Sequence, residues 1–378
     1  MRIALLVWTA RGGAFGNLSQ ALAKGMRAGG ADEVILSYLT EGPRESLGAG
    51  IRLAPLGVTR ARRSVRAIRR LLLDEAPDVL VPMLPLVTIP AVAAASLVPR
   101  RKTKIVVFHS DTLSSDYRID HRWSPRMRAL PFMARFAYPR ADALVAETDA
   151  LRDLLGVEGI LMGKRPVAVI PPPVDVEAIR TQAAERPSHP WLVEKPTPVI
   201  ASLGRLVKRK DFPSLIDAVA QVRQQRDVRL IVFGAGPERE AIQRSLDARG
   251  RHWASLPGHV ANPFAEIARS DVFVMPSLDE AFCLALAEAM SCGVPVVSTD
   301  AAGGGPRFIL NGGTFGTLLP PGDASSLAAA IEELLSDDKL ARERAELARR
   351  RADDFEPRRI GEQWLQFLRE RVLSGVGP

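Results

Sequence analysis

The chain has 378 residues, of which 47% are hydrophobic and 25% are charged, with 29 glycines and 29 prolines. This length exceeds the usual size of one domain, so we expect two domains of about 150–200 residues each. The composition excludes a fibrous or disordered chain. Two cysteines, Cys283 and Cys292, exclude a disulfide framework, and no Cys and His spacing suits a structural zinc site. We therefore expect a reducing, cytoplasmic compartment.

The net charge of +8 is unevenly distributed. Residues 1–172 hold 25 Lys and Arg against 15 Asp and Glu, a balance of +10, whereas the remainder holds 26 against 28, a balance of −2. A polyanionic partner is therefore expected for the first half: nucleic acid, anionic lipid or a diphosphate substrate. No recognised nucleic-acid-binding motif accompanies the charge, so nucleic acid is the weaker candidate.

Short runs of Val, Ile and Leu alternate with helical patterns, which predicts an α/β protein with two doubly wound parallel sheets. The predicted strands lie at residues 3–8, 34–37, 79–81, 105–108, 143–146, 167–170, 199–203, 229–233, 272–275 and 295–298. The first run has a short apolar core and no small-residue cleavage site, so we interpret it as a strand and not as a signal peptide.

Residues 79–99 carry no charge and are long enough to span a bilayer. Four prolines interrupt them, so we predict instead a short strand, a loop and a helix that begins near Pro90. Three further prolines at 171–173 mark a stiff boundary, and the linker is predicted to run over residues 171–198. The predicted domains are residues 1–172 and 173–356, followed by an amphipathic helix at 357–378.

Ligands of open parallel sheets sit beyond the carboxyl ends of the strands, so the loops there are the candidate sites. After residues 3–8, Gly12, Gly13 and Gly16 lead into a helix and either let the backbone approach an anion or form a tight turn. After residues 199–203, "GRLVKRKDF" holds Arg205 and Lys210, which suit a diphosphate, although the run of basic residues also fits a solvated loop.

A third candidate loop, "GAGPERE", holds Gly234. It either contacts a nucleotide through its backbone or only forms the turn between a strand and a helix. A fourth, "PSLDEAFCLALAEAM", holds Glu280 before a helix that begins near Cys283. The first-turn amides would bind an anion, and Glu288, about two turns further on, would reach a ribose. In the alternative interpretation Glu280 stabilises the helix dipole and Glu288 is buried in an ion pair.

Glu280, seven intervening residues and Glu288 resemble the signature of the retaining glycosyltransferases of family 4, the group-1 glycosyl transferases with the GT-B fold. The segments "GRLVKRKDF", "VIPPPVD", "GAGPERE", "LPGHVANPF" and "LLPPGD" follow in that family's order and spacing. The resemblance implies two Rossmann-like domains facing a cleft, with the last helix crossing back to the first domain. It also implies a metal-independent transfer without a cofactor.

The same resemblance implies a role for each candidate residue. Arg205 and Lys210 would neutralise the donor diphosphate, Glu280 would hold the donor sugar, and Glu288 would bind the ribose. His109 would face the donor sugar near the acceptor. The remaining donor-binding positions would be Gly13, Gly204, Gly234, Phe282, Cys283 and Leu284.

The donor implied is a nucleotide sugar, UDP being preferred over GDP, that carries a hexose or an N-acetylhexosamine. The acceptor implied is a glycan or a polyprenyl-linked oligosaccharide. Two alternatives stay open: a nucleotide-sugar epimerase of similar fold, and a non-catalytic protein that binds sugar nucleotides.

Two basic segments suggest a membrane surface as a further partner. Residues 58–73 carry six arginines and no acidic residue, and residues 118–140 carry six arginines interleaved with aromatic residues. Such segments are typical of helices that lie on anionic membranes, here at the inner face. The alternative is that their apolar faces pack on a sheet and the arginines are merely solvated.

Overall fold

The computed structural model describes residues 1–11, 13–43, 45–58, 61–110, 129–160, 165–248, 250 and 252–374. The chain forms two compact units, the first comprising Met1–Val174 and Phe355–Pro378 and the second comprising Asp175–Asp354. The crossover therefore follows Val174 instead of residue 172, and the return precedes residue 357. The predicted linker is too long, because helices of the second unit already occupy residues 176–183 and 190–193.

The strands are all short and are numbered here in chain order. They are β1 (Arg2–Val7), β2 (Glu33–Tyr38), β3 (Ile51–Pro55), β4 (Val79–Pro82), β5 (Lys104–His109), β6 (Ala143–Ala146), β7 (Val167–Val169), β8 (Val199–Leu203), β9 (Arg229–Phe233), β10 (Ala254–Gly258), β11 (Val272–Met275), β12 (Val296–Thr299) and β13 (Thr317–Leu319).

The helices of the described residues alternate with these strands. They are α1 (Gly13–Ala28), α2 (Ala61–Asp74), α3 (Pro85–Ser96), α4 (Leu130–Ala137), α5 (Asp149–Val157), α6 (Val176–Ala183), α7 (Pro190–Val193), α8 (Phe212–Val222), α9 (Arg239–Ala248), α10 (Pro263–Ile267), α11 (Leu284–Ser291), α12 (Gly305–Ile309), α13 (Ala324–Ser336), α14 (Asp338–Ala352) and α15 (Pro357–Phe367).

Both units are doubly wound. The first sheet has the order β3-β2-β1-β4-β5-β6-β7 and the second has the order β10-β9-β8-β11-β12-β13. All neighbouring strands run parallel. The order reverses between β1 and β4 in the first sheet and between β8 and β11 in the second, and a crevice opens at such a switch point. The predicted pair of doubly wound sheets is confirmed.

Three strands were not predicted from the sequence. Each of them lies at an edge of its sheet, with residues that are partly exposed. They are β3, β10 and β13, whose residues are mostly partly exposed, in contrast to the fully buried β4 and β11. A central parallel strand is covered on both faces and reads as a continuous apolar run, whereas an edge strand does not.

The uncharged segment at residues 79–99 forms β4 and α3. The prediction that its helix begins near Pro90 was wrong, because α3 begins at Pro85 and continues through Pro90. Proline at the first helical position loses no intrahelical bond. The bond that Pro90 omits would end on the carbonyl of Leu86, a residue that is 37% exposed. Among the described residues, no helix combines the length and the hydrophobicity that crossing a membrane requires.

The last helix belongs to the first unit, where α15 packs directly on α1. Its apolar side chains are buried, and the Trp364 ring meets the Phe108 ring edge-on, with centroids 5.5 Å apart. The two helix backbones touch at two glycines. A Cβ at Gly25 would lie 2.0 Å from the Pro357 carbonyl oxygen, and one at Gly361 would lie 2.0 Å from the Gly25 oxygen.

We predict that Gly25→Ala lowers the free energy of unfolding by about 2 kcal/mol, because the added methyl group forces α1 and α15 apart. Urea denaturation followed by circular dichroism measures the change. Asn17→Ala, on the exposed face of the same helix, is the control and leaves the midpoint unchanged. Equal midpoints for the two variants would contradict close packing at this crossing.

Candidate active site

The candidate site of the second unit lies at its topological switch point. The loop after β8 carries Gly204, Arg205 and Lys210, and the loop after β11 carries Ser277 and Glu280. Because β8 and β11 are hydrogen-bonded neighbours, side chains about 70 residues apart in the chain meet beyond one edge of the sheet.

Lys210 and Glu280 form a buried ion pair. Lys210 Nζ donates a hydrogen bond to Glu280 Oε1, and Ser277 Oγ donates to the same oxygen at 2.7 Å. Burial opposes both charges, but the attraction of the opposite charge and the hydrogen bonds together outweigh it. The pKa of Lys210 is therefore raised and that of Glu280 lowered, and both groups are ionised at neutral pH.

Backbone hydrogen bonds hold the Glu280 loop between its neighbours. The Leu278 amide donates to the Arg209 carbonyl at 2.7 Å, and the Glu280 amide donates to the Ala302 carbonyl at 2.7 Å. The Gly305 amide donates in turn to the Glu280 carbonyl at 3.2 Å. The loops after β8, β11 and β12 are thus fastened together, which fixes the position of the carboxylate.

Arg205 and Lys210 differ in their surroundings, although the sequence suggested one common role. Lys210 is buried, whereas the Arg205 side chain is exposed. The alternative of a solvated basic loop fits Lys208, which is exposed, but is wrong for Lys210. Arg205 is therefore available to a bound anion, while Lys210 reaches such an anion only as a member of the ion pair.

Two glycines permit close contact between the loops after β8 and β9. Gly234 has φ 127°, and a Cβ there would lie 2.0 Å from the Gly204 carbonyl oxygen. A Cβ at Gly204 would lie 3.5 Å from Lys210 Cε. Gly234 is thus required by the packing of these loops, and its predicted contact with a nucleotide stays a prediction.

Helix α11 begins directly after the Glu280 loop. Its first residue is Leu284, and Cys283 caps it in the left-handed conformation with φ 82°, a strained geometry for a residue other than glycine. No backbone carbonyl in the described part of the chain accepts the amide of Cys283 or Leu284. Phe282 packs on Phe308, with ring centroids 6.2 Å apart. The start of α11 therefore presents open amides, as an anion site requires.

Burial raises the pKa of the Cys283 thiol well above its usual range, and the Glu280 carboxylate adds to this effect. The thiol therefore stays protonated at neutral pH. A protonated thiol is neither a nucleophile nor a metal ligand.

Glu288 lies half-buried on α11, and it differs from Glu280 in its ionisation. No ion pair or side-chain hydrogen bond of Glu288 occurs among the described residues, so the alternative of a buried ion pair is wrong there. Burial raises the pKa of Glu288 to about 7, and the charge of Lys210 offsets only part of this effect. Two carboxyl groups with opposite shifts within one site are typical of a functional centre.

Gly13 and His109 belong to the first unit. Gly13 begins α1 with φ 67°, just beyond β1. His109 ends β5, is buried, and has its Nδ1 atom 3.3 Å from the Tyr138 hydroxyl. Their roles toward a donor stay predictions, and Gly12 lies outside the described residues.

Sequence reasoning missed two contributors to the site. Ser277 supplies a hydrogen bond to the Glu280 carboxylate, and only its place directly after a buried strand signalled it. Arg209 belongs to the run of basic residues that also fits a solvated loop, but it is half-buried and its carbonyl anchors the Glu280 loop. Within the described ranges, no group of three His, Cys, Asp or Glu side chains is placed to hold a metal ion.

Lys210→Met should lower the free energy of unfolding by about 3–5 kcal/mol, because it leaves the Glu280 charge buried without a partner. Adding Glu280→Gln to this variant should restore part of the loss, since a neutral amide needs no counter-charge. Urea denaturation of the single and double variants measures both effects. Lys208→Met, an exposed neighbour, serves as the control and should cost close to nothing. A Lys210 variant as stable as the Lys208 variant would contradict the buried pair.

Glu288→Gln should stabilise the protein more at high pH than at low pH. The pKa of Glu288 is about 7 in the folded state, whereas its ordinary value, which applies to the unfolded state, is 4.5. The unaltered protein therefore loses stability as the pH rises through this window, and the variant does not. The difference in unfolding free energy should grow by about 1–3 kcal/mol between about pH 5 and about pH 8. Glu240→Gln, at an exposed position, is the control. A difference that is constant with pH would refute the shifted carboxyl group.

Two family models match the chain. Residues 14–173 match the model of the glycosyl transferase 4-like domain, and residues 185–351 match that of glycosyl transferases group 1. The lipopolysaccharide core biosynthesis glycosyltransferase LpsE of Rhizobium meliloti is 35% identical over 45% of this chain and 49% of its own length. The second relative is the N-acetylgalactosamine-N,N'-diacetylbacillosaminyl-diphospho-undecaprenol 4-alpha-N-acetylgalactosaminyltransferase of Campylobacter jejuni. It is 28% identical over 63% of this chain and 62% of its own length.

The sequence matches thus span about half to three fifths of the length of these two relatives. Over the whole fold, the structure of Anabaena Alr3699/HepE in complex with UDP-glucose is similar with a TM-score of 0.76. It covers 97% of this chain and 99% of that one at 19% identity, a likeness of fold. The predicted GT-B fold is confirmed, and the chain belongs to the group 1 glycosyl transferases, with a glycosyl transferase 4-like domain in its first half.

Proposed function

We propose that this protein transfers a sugar from a nucleotide-sugar donor to a glycan or lipid-linked acceptor and retains the configuration of the transferred sugar. The observation that carries the proposal is the buried Lys210–Glu280 pair beside the open amides at the start of α11. A fixed carboxylate next to an anion site suits a ligand that joins a sugar to a diphosphate.

In the proposed complex the diphosphate lies at the first turn of α11. The Cys283 and Leu284 amides donate to it, and the exposed Arg205 guanidinium closes over it. The positive charge of Lys210 then lowers the energy of the leaving nucleotide diphosphate as its negative charge develops. This preorganised electrostatic stabilisation acts without a protein nucleophile or a bound metal.

The two carboxyl groups have separate tasks in this proposal. Glu280, kept ionised by Lys210 and Ser277, accepts hydrogen bonds from hydroxyl groups of the donor sugar. Glu288 lies two turns along α11 and accepts hydrogen bonds from the ribose. Because the pKa of Glu288 is about 7 without a ligand, binding of the nucleotide favours release of this proton.

The donor and acceptor are proposed on the relatives' chemistry. A structure of the same fold holds UDP-glucose, which supports UDP and a hexose as the donor. The Campylobacter relative is named as an N-acetylgalactosaminyltransferase, which supports an N-acetylhexosamine as the alternative sugar. The Campylobacter relative is named for an undecaprenol-diphosphate-linked acceptor, which supports a polyprenyl-linked oligosaccharide in surface polysaccharide or glycolipid assembly. Such an acceptor would place the protein in the cytoplasm at the inner face of the membrane.

The proposal is tested by nucleotide release from a panel of UDP- and GDP-sugars, with and without mixed lipid-linked oligosaccharides and without added metal. We expect acceptor-stimulated release from one donor. Arg205→Ala should lower kcat on the order of 100-fold, because it removes a charge that stabilises the transition state. Arg205 is exposed, so this variant keeps the stability of the unaltered protein.

Lys208→Ala, three residues away and also exposed, is the matched control and should keep full activity. Turnover of a sugar nucleotide without an acceptor would identify an epimerase or a hydrolase and reject the transferase. Binding of a sugar nucleotide without any turnover would identify the non-catalytic alternative.

A further inference from the structure

Helix α4 of the first unit exposes large apolar side chains to solvent. Phe132, Met133 and Phe136 are 62%, 44% and 55% exposed, and the two phenyl rings meet edge-on with centroids 4.9 Å apart. The other face of α4 buries Leu130 and Ala134 in the core. The helix is therefore apolar on both its inner and its outer face, which packing on the sheet does not explain.

Helix α2 differs from α4 in where its apolar side chains lie, although residues 58–73 and residues 118–140 are both rich in arginine. Its apolar residues Ile68, Leu71 and Leu72 are buried in the core, so the alternative of packing on the sheet is correct for this helix. Its outer face is basic: Arg63, Arg66, Arg69 and Arg70 are exposed. The part of residues 118–140 that precedes residue 129 lies outside the described residues.

Helices α2, α3 and α4 form one layer. α3 packs against both α2 and α4, and residues of all three helices join one core cluster on the same face of the first sheet. Arg69 Nε donates to the Leu97 carbonyl at 3.2 Å, which ties α2 to the end of α3. The arginines of α2 and the rings of α4 therefore face outward from one side of the unit.

The arginines of this layer are available to an external anion. In the part of the chain that the structure describes, no carboxylate pairs with Arg63, Arg66 or Arg70. Arg135, next to the exposed rings of α4, donates among the described residues only to the Glu158 carbonyl, at 2.7 Å. A basic surface without acidic partners, adjoining exposed aromatic side chains, matches a target that presents negative charge above an apolar interior.

We propose that this outer helical surface, formed by the exposed arginines of α2 and by Phe132, Met133 and Phe136 of α4, docks on an anionic lipid bilayer. The three apolar side chains enter the boundary between headgroups and acyl chains, and the arginines contact lipid phosphates. A second copy of this chain is a poor occupant, because an isologous contact would bring the basic faces together.

The test is co-sedimentation of the full chain with vesicles of phosphatidylcholine alone or with about 30% phosphatidylglycerol. We expect binding to the anionic vesicles only, and its loss at high salt. Phe132→Ser with Phe136→Ser should lower the ratio of bound to free protein about tenfold or more. Arg66→Gln with Arg70→Gln should lower it about tenfold.

Each pair of changes has a matched control in the second unit. Leu347→Ser with Val193→Ser removes two exposed apolar side chains, and Arg342→Gln with Arg349→Gln removes two exposed arginines. Neither control should alter vesicle binding. Equal losses in the controls and the test variants, or no binding to anionic vesicles, would overturn the proposal.

Two other outcomes would reassign the surface and also overturn the proposal. If sedimentation equilibrium shows a dimer that Phe132→Ser with Phe136→Ser dissociates, the surface binds a second copy of the chain. Binding of a fluorescent oligonucleotide that these changes abolish, with vesicle binding intact, would assign it to nucleic acid. Vesicle binding needs neither donor nor acceptor, so its failure is distinguishable from failure of the proposed transferase.

Discussion

The buried ion pair between Lys210 and Glu280 is the interaction on which the candidate site depends. The desolvation free energy of burying two charges can exceed the attraction between them. Replacing such a pair with apolar residues is therefore often stabilising. This pair lies beyond the carboxyl ends of β8 and β11, where the loops after three strands are held together by hydrogen bonds. Its presence there is therefore better explained by ligand binding than by a contribution to stability. It keeps one carboxylate ionised in a place where burial alone would neutralise it.

The second carboxyl group shows what happens without such a partner. Glu288 lies on the helix that follows Glu280, yet its pKa is raised to about 7 because only the distant field of Lys210 opposes burial. Because Lys210 pairs with Glu280 and not with Glu288, the pKa values of these two glutamates, eight positions apart in sequence, shift in opposite directions. The site thus contains one carboxyl group that is ionised at neutral pH and one whose pKa is about 7.

Both units share one winding order, but they use their outer surfaces differently. In the second unit the order reverses beside the ion pair. In the first unit the same architecture carries a layer of helices with arginines on α2 and exposed rings on α4. Part of the excess of positive charge in the first half therefore lies on the outer face of α2.

The sequence by itself determined the doubly wound fold, since central parallel strands are covered on both faces and their apolar runs are visible without a structure. It also identified Lys210, Glu280 and Glu288, because strand ends and helix starts mark the loops that bind ligands. It did not reveal the edge strands β3, β10 and β13, whose half-exposed residues carry no clear pattern, or the start of α3 at Pro85. Only the tertiary structure decided which basic residue is buried and which basic helix keeps its apolar side chains in water. Those outcomes depend on neighbours that are distant in the chain, and no local pattern records them.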